Sequence, residues 1–187
     1  MPYPGQPSGS STRPVASDAA EARSSGCVRN NRLLLTAVAA AVLLADQLTK
    51  LWALRGLQDG SIHLFWTIRL RLVFNQGTAF GLGASLAPLI TVVALVVSLS
   101  LIRLCWSTPR RSVAALAGLV LGGALGNLGD RAFRGDGFFG GSVVDFVDPQ
   151  WWPVFNLADA AISVGVVLFL ALTLRSGMRG EPLVGEA

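Results

Sequence analysis

The sequence predicts a mainly α-helical membrane protein, with four transmembrane helices and a small extracytoplasmic sheet. Three observations carry this. Only 14% of the 187 residues are charged, against about 25% in an ordinary water-facing domain. Hydrophobic residues make up 52% of the chain, and the mean hydropathy is +0.55, which excludes disorder for most of its length. All basic residues but Lys50 are arginines, grouped at the flanks of uncharged stretches as membrane spans require. The same grouping makes the formal charge of +4 a poor nucleic-acid face.

Residues 1–31 are rich in Ser, Pro, Gly and Ala and read as a disordered cytoplasmic tail. The apolar run from Leu33 continues past Asp46 to Leu54, about 22 residues. That length crosses about 30 Å of hydrocarbon and reads as a first span rather than a cleaved signal segment. Leu72 to Ile102 holds no charge, and its helical part is expected from about Leu86 to Leu104. Ser112 to Gly129 is uncharged and rich in small residues, with Gly118, Gly122 and Gly126 one helical turn apart. That spacing lets helices approach closely in a bilayer. Ala160 to Leu174, extended by Phe155 to Asp159, gives the fourth span. Residues 32–176 thus form the membrane domain, and 177–187 a cytoplasmic C-terminal tail.

Two connections lie on the opposite side. In about 55–85, Ile62, Leu64, Trp66, Ile68, Leu70 and Leu72 alternate with His63, Thr67, Arg69 and Arg71, with Phe65 the exception. Period two marks a strand with one apolar face. About 132–154 holds turn-rich Asp136-Gly-Phe-Phe-Gly-Gly-Ser142, then Trp151-Trp152-Pro153, which fits an interfacial aromatic belt. Nine arginines (13, 23, 29, 32, 103, 110, 111, 175, 179) lie on one side and five (55, 69, 71, 131, 134) on the other. The positive-inside bias places both termini in the cytoplasm.

The inventory narrows the chemistry. His63 is the single histidine, so no helical His pair for zinc exists. Cys27 and Cys105 are far apart and lack a CxxC partner. No metal and no cofactor is expected, and carboxylates are the acid–base material left. Charges inside spans are expensive and mark function. Asp46 and Lys50 share a helix face at i,i+4, as a structural ion pair or a substrate contact. Asp130, Arg131, Asn156 and Asp159 fall at the outer ends of spans three and four, with Asp145 in the loop between. Asn75 and Asn127 converge there too. Two carboxylates in reach of one another share a proton: the ionised one takes a proton from water, and the other polarises a carbonyl. Asp159 has no cation within four residues and is the better candidate for one member. Topology leaves its partner open between Asp130 and Asp145. Asp148-Pro149 reads as a turn without chemistry. The rival reading is a small proton-coupled membrane transporter using the same aspartates.

Five blocks in order resemble the motif set of the lipoprotein signal peptidase family (signal peptidase II) across about residues 33–175. They are Asp46-Gln-Leu-Thr-Lys50, Asn75-Gln-Gly-Thr-Ala-Phe80, Gly122-Gly-Ala-Leu-Gly-Asn-Leu-Gly-Asp-Arg131, Val143-Val-Asp-Phe146 and Phe155-Asn-Leu-Ala-Asp-Ala-Ala-Ile162. The resemblance implies an aspartyl endopeptidase of four membrane helices with an external β-cradle, in the bacterial inner (cytoplasmic) membrane. It implies diacylglyceryl-modified prolipoproteins as substrates, cleaved just before the lipidated cysteine, membrane lipids as surroundings and globomycin as inhibitor. Motif by motif, it implies Asp145 and Asp159 as the catalytic pair. Asp46, Asn75, Asn127, Arg131 and Asn156 would line the site, and Lys50 and Asp130 would be structural partners. All motifs sit in one chain, so a monomer is expected. Two departures stand out: Gln76 and Thr78, where the family usually reads Asn-x-Gly-Ala-Ala-Phe, and extra Gly/Phe-rich residues around Gly135 to Gly141. Cys27 lacks a preceding apolar run, so the chain does not itself resemble a lipoprotein.

Overall fold

The structure is a computed structural model and describes residues 15–76, 87–106, 108, 110–135 and 141–179. The order of elements is α1 (Val15–Gly56), β1 (Ile62–Phe65), β2 (Ile68–Asn75), α2 (Ala87–Cys105), α3 (Arg111–Phe133), β3 (Val143–Asp148) and α4 (Leu157–Arg179). Three helices contain segments long and apolar enough to cross a membrane: Ser25–Gly56, Arg111–Phe133 and Leu157–Met178. In α2 the shorter apolar helix Val92–Arg103 meets the same composition. The helix opens at Val15, inside the stretch expected to be a disordered tail. Ala and Ser are its commonest residues, and Ala is the strongest helix former, able to continue a neighbouring span. Residues 1–14, most of the Asn75–Phe80 motif and most of the Gly135–Gly141 insertion lie outside the described residues.

Helix α3 is the centre of the bundle, with thirteen of its residues buried. Its small residues explain why. A Cβ on Gly118 would lie 2.8 Å from the Leu35 carbonyl oxygen, and one on Gly122 2.6 Å from that of Ala39. On the neighbouring face, a Cβ on Gly123 would lie 2.5 Å from the Ala158 carbonyl oxygen. Glycine therefore lets α1 and α4 touch α3 backbone to backbone, the association expected where lipid tails offer no hydrophobic drive. At the other end of the bundle Asn31 Nδ2 donates to the Thr108 carbonyl, and Arg32 Nε to that of Trp106. The Arg32 guanidinium also stacks 5.4 Å from the Trp106 ring centroid.

The strands form one antiparallel sheet in the order β1-β2-β3. The single strand expected over 62–72 is a hairpin, and its turn falls at Trp66-Thr67, next to the Phe65 exception. Trp66 takes a φ of 49°, in a region bulky residues rarely occupy. Gln150 Nε2 ties that turn down by donating to the Thr67 carbonyl. The sheet packs on the end of α1 through Ala53, Leu57 and Phe146, with Leu70, Leu72 and Val147 around them. Arg69 and Arg71 both donate through Nε to Asp148 Oδ2, at 2.8 and 3.0 Å. Burial alone would raise the Asp148 pKa, but Arg69, the Gln150 N–H and Arg71 outweigh it and hold the carboxyl below its usual range.

Candidate active site

Four elements meet at the sheet end of the bundle, and each delivers a side chain for a local reason. On β3, Val143 pairs with Asn75 and Asp145 with Val73. Between Leu70 and Val73 the register shifts, so β2 spends one more residue than β3. Such bulges re-aim side chains next to active sites. Asp145 is buried at 1% exposure, and its oxygens accept from Asn156 Nδ2 (2.6 Å) and Asn75 Nδ2 (2.9 Å). Burial, assisted by the nearby Asp159 charge and opposed by the Asn75 and Asn156 hydrogen bonds and Lys50, pushes its pKa up to about 6.

Asp159 sits at the third position of α4. Asn156, just before the helix, accepts the Asp159 N–H on Oδ1 (3.0 Å), and its own N–H donates to Asp159 Oδ2 (3.1 Å). This is a reciprocal capping box built from Asn and Asp. The second Asp159 oxygen accepts from Asn127 Nδ2 at 2.8 Å. Asn156 therefore grips both carboxylates at once, one through its amide and the other through its backbone. No cation bonds either of them among the described residues.

A second cluster lies against the first. Lys50, fully buried, donates to Asp46 Oδ2 (2.8 Å), Asp130 Oδ2 (2.8 Å) and Asn127 Oδ1 (2.9 Å). Asp46 Oδ1 accepts the Ala158 N–H, and Asp130 Oδ2 the Val144 N–H. Asp130 Oδ1 accepts from Arg134 Nε and Gln47 Nε2. The cluster thus pins α1, α3, β3 and the start of α4 together. A Cβ on Gly126 would lie 2.5 Å from Asp46 Oδ2, so only glycine leaves room for the pair.

Asn75, Asn127, Asn156, Asp145 and Asp159 form one connected network. Asp46, Lys50 and Asp130 join it through Asn127 from behind. Arg131 is 6% exposed, and its Nη1 is buried with no hydrogen-bond partner among the described residues. Sequence reading passed over Gln47 and Arg134. Arg134 is four residues after Asp130, the spacing of a helical ion pair, and was legible on that rule; nothing local marks Gln47. Among the described residues no cluster of His, Cys, Asp or Glu suits a metal ion.

Comparison with known proteins gives the class, a membrane peptidase. The family model for signal peptidase (SPase) II matches residues 38–175. The lipoprotein signal peptidase of Rhodococcus jostii is 45% identical over 147 residues, covering 76% of this chain and 73% of that protein. Its counterpart in Mycolicibacterium smegmatis is 40% identical over 172 residues, covering 85% and 73%. A bacterial membrane enzyme solved by the in meso method at 2.3 Å resolution shares the fold, with a TM-score of 0.69 at 22% identity over 82% of this chain and 93% of that one. The chain belongs to the signal peptidase II family, and signal-peptide removal from lipoproteins is its activity.

Proposed function

We propose that the protein cleaves diacylglyceryl-modified prolipoproteins just before the lipidated cysteine, with Asp145 and Asp159 activating one water between them. The observation that carries this reading is the single residue Asn156 bonded to both carboxylates, which holds two acids at one place with no cation bonded directly to either among the described residues. Water attacks the scissile carbonyl carbon as the ionised carboxylate takes one of its protons. The protonated partner donates to the carbonyl oxygen. Collapse then breaks the C–N bond: one hydroxyl of the gem-diol returns its proton to the second carboxylate as the carbonyl re-forms, and the proton held by the first carboxylate passes to the departing cysteine amine. Each carboxylate acts once as acid and once as base, both end in their starting states, and atoms balance without a metal.

The substrate lipid supports the same placement. Along α1 the rise from Arg32, which meets Trp106, to Trp52 is about 30 Å, one hydrocarbon thickness. Asp46 and Lys50 lie just short of Trp52, so the site sits below the membrane boundary opposite the Arg-rich end. With both termini cytoplasmic this is the extracytoplasmic face of the bacterial cell membrane. Acyl chains in the outer leaflet would hold the scissile bond at that depth and convert search into lateral diffusion, worth several kcal/mol of positioning. Asn75, Asn127 and Asn156 hold the substrate backbone. Arg131 offers its unpartnered Nη1 to a carbonyl of the lipid-linked end. Asp46 lines the site from behind, and Lys50 and Asp130 hold the shell. The working unit is a monomer among membrane lipids, and globomycin is its inhibitor.

The experiment is direct. Purified protein in lipid nanodiscs is mixed with a diacylglyceryl precursor and with its unlipidated form. Release of a signal peptide from the first alone, suppressed by globomycin, is expected. Equal cleavage of the unlipidated form, or cleavage at another bond, would overturn this reading.

A further inference from the structure

We infer that Lys50 is a positioning residue for the reaction: acting through Asn127, it fixes Asp159 as the ionised base of the pair and leaves the shared proton on Asp145. This rests on the proposed dyad and says which member does what.

The argument is one of donors that cannot be turned round. Asn127 Oδ1 accepts from Lys50 Nζ (2.9 Å) and from Asn156 Nδ2 (3.1 Å). Two donors on one oxygen, one of them an ammonium, forbid the flipped amide, which would point its NH2 at a cation. Asn127 Nδ2 is therefore obliged to donate to Asp159 Oδ1. The other Asp159 oxygen faces a backbone N–H, which never accepts. Both oxygens thus meet fixed donors, the arrangement that favours a carboxylate over a carboxylic acid. Asp145 instead meets two side-chain amides and, among the described residues, no backbone donor. It is sealed from solvent, whereas Asp159 is only half-buried. Its elevated pKa agrees with a proton residing there.

The charges around the pair are few. From α1 come Lys50 and Asp46; from α3 come Asp130, Arg131 and Arg134; β3 and α4 bring the two aspartates themselves. The β2 arginines Arg69 and Arg71 bond to Asp148. Lys50 is balanced by Asp46 and Asp130, and Arg134 completes Asp130. Arg131 acts on both aspartates through space, whereas Lys50 reaches Asp159 through a single bonded amide.

The test is the pH profile of kcat on a diacylglyceryl precursor in nanodiscs. Three variants are compared with the native protein, each with its melting temperature and KM. Lys50→Gln keeps a donor but removes the charge. Asp46→Asn with Lys50→Gln removes one charge of each sign and leaves Asp130 paired with Arg134. Asn127→Ala cuts the link and leaves both Lys50 ion pairs in place. In every variant that melts near the native temperature, the acid limb is expected to move up by about one pH unit, so that kcat at the native midpoint falls about fivefold. In the two Lys50 variants KM should stay within about twofold, because they remove no substrate contact; Asn127→Ala, which does, is read by its acid limb alone. An acid limb unmoved in folded Asn127→Ala, or in either folded Lys50 variant, overturns the role of Lys50. Asp159→Asn is the control: if it is inactive, an unmoved limb sinks Lys50 alone, whereas an active Asp159→Asn sinks the dyad and this inference with it.

Discussion

Two carboxylate clusters lie side by side in this protein, and they are built on opposite rules. In the Asp46–Lys50–Asp130 cluster each acid has a cation, and Arg134 supplies a second one to Asp130. Its oxygens also accept backbone N–H groups from α4 and β3. In the Asp145–Asp159 cluster the bonded partners are side-chain amides and a backbone N–H. Beside it lies an arginine with a buried Nη1 that has no hydrogen-bond partner among the described residues. Burial of a paired, fully bonded charge cluster defines geometry, whereas buried acids without cations hold protons that chemistry can use. Asn127 is the seam, accepting from Lys50 on one side and donating to Asp159 on the other.

The comparison breaks most visibly by exchanging one acid on each side. Asp145→Asn and Asp159→Asn are each expected to lower the cleavage rate by at least about 10³-fold, with melting temperatures close to native. Asp130→Asn is expected to do the reverse, costing about 3 kcal/mol or more because Lys50 and Arg134 lose a buried carboxylate partner. Thermal melting and the specific activity of the folded fraction read both. A well-folded but inactive Asp130→Asn would mean the wrong acids have been paired.

Arg131→Gln sharpens the functional side. If its guanidinium meets substrate, KM should rise by about tenfold or more with a smaller change in kcat, in steady-state kinetics on the lipidated precursor. Gly126→Ala sharpens the structural side. Its new methyl would press on Asp46 Oδ2 and should cost about 1–3 kcal/mol, seen as a lower melting temperature with the pH profile of cleavage unchanged.

Much of this was legible in the sequence, for physical reasons. Charge-free length marks a bilayer crossing without any tertiary knowledge, so the spans stood out, including α2 at Ala87–Cys105 against an expected Leu86 to Leu104. The pair Asp46 and Lys50 followed from i,i+4 spacing. Asn156 and Asp159 also carry a local signature, a cap residue with an acid three positions on. The hairpin was half-read: alternation is a local signal, but the left-handed Trp66 turn has no glycine to announce it. Strand β3 gave no such signal. Five of its six residues are buried, so the alternation that reveals a half-exposed strand is missing, and its partner β2 lies about 70 residues away. The choice between Asp130 and Asp145 as partner of Asp159 likewise depends on long-range bonds that spacing does not encode. Asp130 turns its oxygens to Lys50 and Arg134, and Asp145 to Asn156.

The most direct test of the dyad is a crystal structure of the protein with a diacylglyceryl-cysteine peptide whose scissile amide is replaced by a hydroxyethylene group. The account predicts that the inhibitor hydroxyl lies within hydrogen-bond reach, about 2.5–3.0 Å, of one oxygen of Asp145 and one of Asp159 together. A hydroxyl bound by one of these acids alone, or seated against Asp130, would contradict it.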